Sequence, residues 1–536
     1  MDRRPSLLTT AFLLLALCAV SFAAGAATQS ASTPKDKNEE VYKYLNPFVD
    51  ALAIIREKYV DVDKTNPKDL VYGALQGMVN TLDPFSQFMP PEDYKEMQTE
   101  TSGKFGGLGI EIAIKDDRLT IISPIEGTPA DRAGLKAGDK IVKIGDEKTD
   151  SMTINDAVKR LRGKVGTKVT ITVQREGLAE PFDVSLIRDS IKIESIHSYM
   201  LPHQIGYVRI SEFIENTTDD FIKAVDDLQK KSPLKGLVVD LRNDPGGLLN
   251  EAVGVSDFFT EKGKMLVSTR GRSANQTQEF KATDGEKFNK DRPVVCMVNE
   301  GSASGAEIVA GALKDWKRAV LIGAKTFGKG SVQTILPLDN SDGAALRLTM
   351  AKYYTPSGVC IHGIGIEPDL DLRNHDISES TIKVYSKQLP NAFAKQLVKE
   401  GMAITRDTEV TPILMDRFYA YCMKNVKKID KEELKKDADY LKNSLYVEMI
   451  REKLGEKEAR ELSVLKDPQV LVAEQIVENG GKISAKLVAE YPKRKDTEKA
   501  GEKKLEEARA KKNGNGDDSD NSDDKDKQKQ EDQDNP

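Results

Sequence analysis

Residues 294–316 read VVCMVNEGSASGAEIVAGALKDW, and this stretch decides the fold of the central part of the chain. The apolar run at its start indicates a buried strand, the small residues a turn, and the remainder a helix. At the start of such a helix the backbone N–H groups point outward with partial positive charge. Ser302 and Ser304 lie in the turn and are candidate nucleophiles beside groups that would stabilise an oxyanion. The alternative is that these serines only cap the helix.

Further along the chain, residues 324–338 (AKTFGKGSVQTILPL) place Lys329 between two glycines. A lysine acts as a base only when burial lowers the pKa of its ammonium group by several units. Gln333 would orient the amine if the chain turns at Gly330. An uninterrupted strand would instead hold Lys329 and Gln333 about 13 Å apart, at ~3.3 Å per residue. The alternative for any lysine is a solvated surface charge.

In the other direction, residues 235–253 (KGLVVDLRNDPGGLLNEAV) predict a strand, a tight Pro-Gly-Gly turn and a helix. Gly246 or Gly247 would offer a second N–H group to an oxyanion, and the sequence leaves open which of them does so. Such a turn is also typical of a phosphate cradle. The Gly-Lys-Ser/Thr ending of a P-loop and the spacing of a dinucleotide fingerprint are both missing here.

Strands and helices alternate over residues 191–375, where QIGYVRI, KGLVVDL, RPVVCMV and RAVLIG are apolar strands with helical stretches between them. Continuous apolar strands of this kind are typical of an α/β core. Residues 376–490 are mostly helical, as in the helix that Asp467 caps and Gly480 follows. We identify no catalytic motif in this part and expect it to form a helical C-terminal domain.

The residue pattern of the N-terminal part indicates an export signal followed by helices. Residues 1–27 contain two arginines, an apolar run and small residues, as signal peptides do, so we expect export to the periplasm or cell envelope of a bacterium. An uncleaved membrane anchor is the alternative, and lipidation of Cys18 is disfavoured by Leu17 before it. Residues 28–38 are a polar linker, and apolar spacing over residues 39–96 predicts a small helical module.

Composition excludes several classes of function. The net charge is −6, and segment 513–536 alone carries nine acidic and three basic residues, so no basic excess points to nucleic acid. Residues 491–536 predict a charged, disordered tail. Outside the signal, Cys296, Cys360 and Cys422 cannot all pair within one chain. There is no CxxC or HExxH motif, so we expect neither a catalytic metal nor another cofactor.

The order of short strands and helices over residues 97–190 resembles a PDZ domain. In that family the loop here formed by Gly107, Leu108, Gly109 and Ile110 holds the terminal carboxylate of a peptide on backbone N–H groups. Glycines allow the backbone to approach an anion closely. Arg162, in the helix beside the peptide groove, is a candidate sensor of bound peptide, and a solvated helix-face charge is the alternative.

Together, these stretches resemble the C-terminal processing peptidases, also called tail-specific proteases, over about residues 40–375. The strings that fit are LDPFSQFMPPEDY, GGLGIEI, IGYVRISEF, DLRNDPGG, NEGSASGAEI, GKGSVQ, YYTPSG and GIGIEPD. The resemblance implies a crotonase-like α/β core in which serine, lysine and glutamine replace Ser-His-Asp. In this family the catalytic serine precedes the catalytic lysine by about 25 positions. Ser304 precedes Lys329 by 25 positions, so the resemblance selects Ser304 over Ser302. It also implies Gln333 as the glutamine and Gly305 as an oxyanion donor beside the Pro-Gly-Gly turn.

The resemblance implies a multidomain α+β serine endopeptidase that recognises protein C-termini and processes or degrades envelope proteins through an acyl-enzyme. Its partners would be proteins with exposed C-termini. The helical N- and C-terminal parts are candidate homodimer contacts, and adaptor proteins are candidate partners. Two alternatives are a non-catalytic PDZ scaffold on a protease-like core and a crotonase-type enzyme acting on acyl thioesters. The export signal and the PDZ domain argue against the second.

Overall fold

The computed structural model describes residues 35–491 except 116–117, 126, 137, 176, 340 and 373–376, with side chains from Tyr42 onward. The described chain forms two compact units, residues 35–90 and 91–491. The predicted signal peptide, the linker up to residue 34 and the predicted tail beyond Tyr491 lie outside the described residues. None of the described helices combines the length and the apolar character that a membrane span requires.

The first unit contains two helices and a short strand. Its elements are α1 (Lys35–Lys58), α2 (Pro67–Asn80) and β1 (Gln87–Met89). α2 begins where the Asn66 side chain accepts the Lys68 N–H at 2.9 Å, and Pro67 occupies the first helical position, where a missing N–H costs nothing. Several apolar side chains of the α1 region are exposed: Tyr42, Leu45, Phe48, Val49, Ile55 and Tyr59.

The second unit begins with a helix and a small β-domain. In chain order its elements are α3 (Pro91–Thr101), β2 (Lys104–Gly107), β3 (Ile110–Lys115), β4 (Arg118–Pro124), α4 (Pro129–Arg132), β5 (Lys140–Ile144), β6 (Glu147–Lys148), α5 (Ile154–Leu161), β7 (Lys168–Gln174), β8 (Phe182–Ile187) and β9 (Asp189–Lys192). The antiparallel sheet has the order β3-β4-β5-β7-β8, which leaves β3 at an edge. Alternate residues of β7, namely Val169, Ile171 and Val173, are buried in the core of this domain.

The central part of the chain follows the α/β pattern. Its elements are β10 (Ile196–Leu201), β11 (Ile205–Ile210), α6 (Thr217–Lys231), β12 (Gly236–Asp240), α7 (Leu249–Asp257), β13 (Met265–Gly271), β14 (Gln278–Lys281), β15 (Val294–Val298), α8 (Gly305–Asp315), β16 (Val320–Gly323), β17 (Ser331–Pro337), β18 (Ala345–Tyr354) and β19 (Leu370–Asp371). A sheet of order β10-β11-β12-β15-β16-β19 is parallel except for β10. Every residue of β12 and β15 is buried, because both faces of the sheet are covered.

A second sheet places further side chains near the end of β15. β17 and β13 each pair with β18, β14 pairs with β13, and all of these pairings are antiparallel. The register of β17 against β18 shifts between Val332 and Gln333, which marks a bulge. This sheet carries Tyr353 near the end of β18, and β17 begins two residues after Lys329.

The C-terminal part is helical, as expected. Its helices are α9 (Glu379–Ser386), α10 (Leu389–Lys399), α11 (Pro412–Asn425), α12 (Lys431–Lys436), α13 (Ala438–Leu454), α14 (Glu456–Leu465), α15 (Pro468–Glu478) and α16 (Ala485–Glu490). α9 to α14 share one apolar core around Phe393 and Phe418. α15 instead packs Val470 and Ile476 against Val238 and Val295 of the central sheet. The predicted boundary at residue 375 therefore separates α15 from the sheet that it covers.

The opposite face of the central sheet is covered by α6, α7 and α8. Val239 and Cys296 point to this side, among Phe221 of α6, Ala252 of α7 and Ala306 of α8. The sheet thus lies between two helical layers. Its parallel strands β12 and β15 end beside each other, which brings the turns after Asp240 and Val298 together at one edge.

Candidate active site

Ser304 lies at the N-terminus of α8 in a strained backbone conformation. Its φ of 54° and ψ of −112° are rare for a residue with a Cβ, and such a conformation costs on the order of 1–3 kcal/mol. The strain arises because the chain turns sharply between β15 and α8. The side chain is half-buried and lies where the first N–H groups of the helix emerge.

Ser302, the other candidate, has a structural role. It is fully buried, its hydroxyl donates to the Leu241 carbonyl at 2.7 Å, and its oxygen accepts the Asn299 N–H at 2.9 Å. These bonds join the turn after β15 to the end of β12. Ser302 is therefore held inside the turn, whereas Ser304 is only half-buried, and the choice of Ser304 as nucleophile stays a prediction.

Tyr353 is the hydrogen-bond partner of the Ser304 hydroxyl among the described residues. The two oxygens are 2.7 Å apart, and either could be the donor. Tyr353 is almost fully buried, and burial raises the pKa of its phenol to about 12. The phenol is therefore neutral at physiological pH. The sequence analysis did not single out this residue, because an aromatic residue in an apolar strand resembles ordinary core.

Lys329 lies in the loop between β16 and β17, beside the turn that carries Ser304. Its side chain is half-buried. Burial lowers the pKa of the ammonium group, and the positive charge of Arg347 adds to that shift. Both effects favour the uncharged amine that a general base requires. The contact between this amine and the Ser304 hydroxyl remains a prediction.

Glu307 joins the two loops through their backbones. It is fully buried, and its carboxylate accepts the N–H groups of Ser304 at 3.0 Å, Gly328 at 2.8 Å and Lys329 at 2.9 Å. The Thr326 hydroxyl donates to it as well. Burial raises the pKa of this carboxyl, and these four hydrogen bonds oppose the shift. The sequence signal was available, because Ser304 and Glu307 have the spacing of a capping box.

Gln333 lies on β17 at the bulge. Its amide nitrogen donates to the Ser331 hydroxyl at 2.9 Å and to the Thr349 hydroxyl at 3.2 Å. These are its side-chain hydrogen bonds within the described part of the chain. Its orientation of the Lys329 amine therefore remains a prediction.

The two glycines of the Pro-Gly-Gly turn differ in what their N–H groups do. The N–H of Gly246 donates to the Asp244 carboxylate at 2.8 Å, so it is already engaged. The N–H groups of Gly247 and Gly305 have no protein acceptor among the residues that the structure describes. Gly247 is consequently the better candidate for the second oxyanion donor, a choice that the sequence left open.

Glycine at both positions of this turn is required by close packing. Gly246 has φ of +94°, and a Cβ there would lie 2.6 Å from both the Gly305 nitrogen and the Ser304 Cβ. Gly247 has φ of +142°, and a Cβ there would lie 2.1 Å from the Phe213 carbonyl oxygen. The Pro-Gly-Gly turn thus rests directly against the Ser304 turn, as the sequence analysis expected of a shared site.

A buried network of ion pairs and hydrogen bonds holds the segment that precedes the Pro-Gly-Gly turn. Asp240 is fully buried, and it accepts hydrogen bonds from Tyr207 at 2.7 Å and from Arg242 at 2.6 Å. Arg242 also reaches Asp467, the N-cap of α15, at 2.8 Å, and Gln469 at 2.8 Å. Arg242 keeps the pKa of Asp240 below its usual value despite burial. α15 is therefore tied to the segment that leads into the turn.

The expected carboxylate-binding loop, Gly107 to Ile110, lies between β2 and β3. Gly109 has φ of +73°, and a Cβ there would lie 2.2 Å from the Thr128 Cβ, so only glycine fits. Ile125 donates to the Gly109 carbonyl and Ala130 to the Leu108 carbonyl. The N–H groups of Leu108 and Gly109 find no acceptor among the described residues. The loop therefore presents free donors next to the open edge strand β3.

Arg162 follows α5, the helix that packs beside β3. Its guanidinium lies 4.3 Å from the centre of the Phe105 ring. This cation–π contact ties the residue to the strand that leads into the carboxylate-binding loop. Its role as a sensor remains a prediction.

Comparison with known proteins gives matches to three sequence families. Residues 204–372 match Peptidase family S41, residues 120–175 match a PDZ domain, and residues 12–93 match the Activating protease CtpB N-terminal domain. These matches, with the observed layers, confirm the expected architecture of helical N-terminal module, PDZ domain, crotonase-like α/β core and helical C-terminal extension.

Two curated relatives agree with these family matches. The chain is 45% identical over 345 residues to a carboxy-terminal-processing protease of Bartonella bacilliformis, which covers 64% of this chain and 77% of the relative. It is 38% identical over 374 residues to carboxy-terminal processing protease CtpA of Bacillus subtilis, covering 70% and 75%. A solved structure of a photosystem II D1 C-terminal processing protease is 29% identical, covers 61% of this chain and 92% of its own, and has a TM-score of 0.37.

Proposed function

Because the chain belongs to the carboxy-terminal processing proteases of peptidase family S41, we propose that it hydrolyses peptide bonds by a Ser-Lys mechanism. Ser304 is the nucleophile and Lys329 the general base. The observation that carries this proposal is the Glu307 carboxylate, which holds the backbones of both residues in one hydrogen-bonded unit. Such an arrangement suits two side chains that must meet in a fixed geometry.

The first chemical step would be attack of the Ser304 oxygen on the scissile carbonyl carbon. Its hydroxyl turns from Tyr353 towards the uncharged Lys329 amine, which takes the proton as the new C–O bond forms. The resulting ammonium then gives that proton to the leaving amine nitrogen as the C–N bond breaks. An acyl-enzyme remains, and the amine is again free to act as a base.

Hydrolysis of the acyl-enzyme would use the same groups. Lys329 takes a proton from water, whose oxygen attacks the ester carbonyl carbon. The ester C–O bond breaks, and the proton returns to the Ser304 oxygen. Gln333 is proposed to orient the amine in both steps, which requires that its amide turn from Ser331 and Thr349.

Negative charge develops on the substrate oxygen in both steps. The N–H groups of Gly247 and Gly305 are proposed to receive it, and the start of α8 adds a favourable dipole. Loss of one such donor raises the barrier by about 2.7–4 kcal/mol in other proteases. Both donors lie on backbone that is held in place by Gly246 packing against Ser304.

The PDZ domain implies binding of protein C-termini. We propose that the terminal carboxylate binds the N–H groups of Leu108 and Gly109, and that the peptide extends along edge strand β3 towards α5. Main-chain pairing with an exposed edge strand is the usual recognition mode of such domains. Gating of the protease by this binding, with Arg162 as the sensor, belongs to the same proposal.

The setting of the enzyme is proposed from sequence. The N-terminal residues favour export, so envelope proteins with exposed C-termini are the proposed substrates for processing or degradation. The exposed apolar side chains of α1 suit contacts in a homodimer, to which the helical C-terminal part would add, and adaptor proteins are further proposed partners.

The proposed mechanism is tested with Ser304→Ala and an unfolded protein that ends in apolar residues. Mass spectrometry of the products should show cleavage by the wild type and none by the variant, while both bind the substrate C-terminus. Unchanged cleavage by the variant would reject Ser304 as nucleophile. Binding without cleavage by the wild type would instead favour a non-catalytic scaffold.

A further inference from the structure

Asp244 precedes the Pro-Gly-Gly turn and contacts both halves of the proposed oxyanion site. One of its carboxyl oxygens accepts the Gly246 N–H at 2.8 Å, and its backbone carbonyl accepts the Ala303 N–H at 2.9 Å. The first bond holds the turn that offers Gly247. The second holds the turn that carries Ser304 and leads to Gly305.

The second carboxyl oxygen of Asp244 is buried and has no hydrogen-bond partner among the described residues. The whole residue is 0% exposed. An ionised carboxylate in such a place loses its hydration and gains only one N–H bond, whereas a neutral acid loses far less on burial. Geometry alone therefore disfavours the anion.

The charged groups around Asp244 do not compensate for burial. Glu212, which follows β11, and Asp240 of β12 are negative and disfavour a further anion. Arg209 of β11 is positive and opposes this effect, but its guanidinium already donates to Asp240 and to the Arg242 carbonyl. Burial and the two negative charges, opposed by the Gly246 hydrogen bond and by Arg209, raise the pKa of Asp244 to about 8.

We propose that Asp244 positions the oxyanion turn as a neutral carboxylic acid, and that its ionisation at alkaline pH disables the site. An anion here would lie beside the position where the substrate oxygen gains negative charge, so it would oppose the transition state. It would also pull on the Gly246 N–H and shift the adjoining Gly247 donor. We do not propose a contact between Asp244 and the substrate. Asp244 acts only by positioning the backbone of the Pro-Gly-Gly turn.

This inference rests on the proposed protease activity and differs from the titration of Lys329. Deprotonation of the lysine raises activity as the pH increases, whereas ionisation of Asp244 lowers it. Dividing kcat/KM of Asp244→Asn by that of the wild type at each pH cancels the lysine contribution. The asparagine amide has the shape of the neutral acid, keeps an acceptor for Gly246 and cannot ionise.

We expect this ratio to rise about tenfold between pH 7 and 9, as a single ionisation that inactivates the site requires, and to reach about twice its low-pH value near the pKa of about 8. Asp244→Ala, which lacks the acceptor, should be slower than Asp244→Asn at every pH. Glu212→Gln should still show the alkaline loss, moved to lower pH, because the variant removes a negative charge that raises the pKa of Asp244. A constant ratio, equal activity of the alanine and asparagine variants, or disappearance of the alkaline loss in Glu212→Gln would each overturn the proposal.

A second measurement requires no catalysis. The pKa of Asp244 is raised from 3.8 to about 8 in the folded protein, so the folded chain holds one more proton than the unfolded chain between these values. Stability present at low pH is then lost as the pH rises through this window, and Asp244→Asn escapes the loss. The thermal midpoint of the variant minus that of the wild type should grow from pH 4 to pH 8 and level off above about pH 8. A pH-independent difference would overturn the proposal, even if the chain hydrolysed no substrate and the proposed function itself failed.

Discussion

Two glycine loops of this protein carry backbone N–H groups that have no acceptor among the described residues, and the loops are supported in different ways. The loop at Gly109 is held by uncharged groups, namely the N–H of Ile125, the Thr128 hydroxyl and the steric fit against Thr128. The site around Ser304 is instead held by buried carboxyl groups, Glu307 on one side and Asp244 on the other.

The difference follows from the charge that each loop is proposed to receive. A peptide C-terminus is a permanent anion, and a nearby carboxylate would repel it throughout binding. An oxyanion forms only during the reaction, so carboxyl groups near it can hold the backbone in place. They must either be neutral or have their negative charge stabilised by hydrogen-bond donors. Glu307 does the latter with four donors. These hydrogen bonds hold the strained turn that carries Ser304, the proposed nucleophile.

Among the variants that test how the two loops are supported, the strongest loss is expected when the carboxylate that holds the Ser304 turn is removed. Glu307→Gln keeps the volume of the side chain but turns one acceptor oxygen into a donor that faces backbone N–H groups. Because this loosens Ser304 against Lys329, we expect kcat to fall by about 10²- to 10³-fold, as for the loss of an oxyanion donor. KM for a C-terminal peptide substrate should change little.

The matched control for this variant is Glu300→Gln, an exposed glutamate just before the same turn. It should keep wild-type kcat. Full activity of Glu307→Gln would show that the shared carboxylate does not align the two loops.

A smaller effect is expected from the binding loop. Gly109→Ala places a Cβ 2.2 Å from the Thr128 Cβ, so the loop must shift and its N–H groups lose their alignment. Affinity for a peptide with a free C-terminus should fall by about tenfold or more, the equivalent of 1.4 kcal/mol. Cleavage of a short substrate that does not need the PDZ domain should be unaffected. Calorimetric titration with the peptide measures the first effect.

Gly127→Ala separates steric fit from backbone strain. Gly127 has φ of +74°, close to the +73° of Gly109, but a Cβ there would meet nothing within 4 Å. Gly127→Ala should lower the free energy of unfolding only by the conformational penalty of about 1 kcal/mol. It should leave peptide affinity unchanged. Equal losses of affinity in both variants would remove the steric argument.

A further variant tests whether α15 supports the site around Ser304. Asp467→Ala removes both the N-cap of α15 and the ion pair with Arg242. Loss of a helix cap alone costs about 1 kcal/mol, so we expect destabilisation of that order or more, with a decrease in kcat of a few-fold. Chemical denaturation gives the free energy of unfolding.

Its control is Asp416→Ala, which breaks an exposed pair with Lys431 at 3.4 Å. Surface pairs contribute about 0–1 kcal/mol, so this variant should unfold nearly as the wild type does. Indistinguishable stabilities of the two variants would place α15 outside the support of the active site.

The sequence analysis located the candidate serine, lysine and glycine turn because each follows or precedes a strongly apolar strand. It could not choose between Gly246 and Gly247, since that choice depends on the Asp244 side chain turning back to its own loop. It missed Tyr353, whose contact with Ser304 joins residues 49 positions apart. Only tertiary packing reveals such a pair.

The fold class was predictable from strand and helix periodicity, and the packing partners of the C-terminal helices were not. An apolar stripe shows that α15 is buried on one side, but it does not say against what. The structure places that stripe on the central sheet, with Asp467 reaching Arg242. Likewise, Glu307 has the spacing of a helix cap, and its hydrogen bonds to the Lys329 loop depend on the β16–β17 connection.

Whether an uncharged Lys329 acts on Ser304 is decided by comparing Lys329→Ala with Lys325→Ala. Lys325 lies in the same loop, is exposed and pairs with Glu367 at 2.9 Å. With the same unfolded protein substrate, kcat/KM should fall by at least about 10³-fold in Lys329→Ala, since general acid–base catalysis contributes on this scale, and stay near wild type in Lys325→Ala. Retention of activity within tenfold by a folded Lys329→Ala protein would rule out Lys329 as the general base.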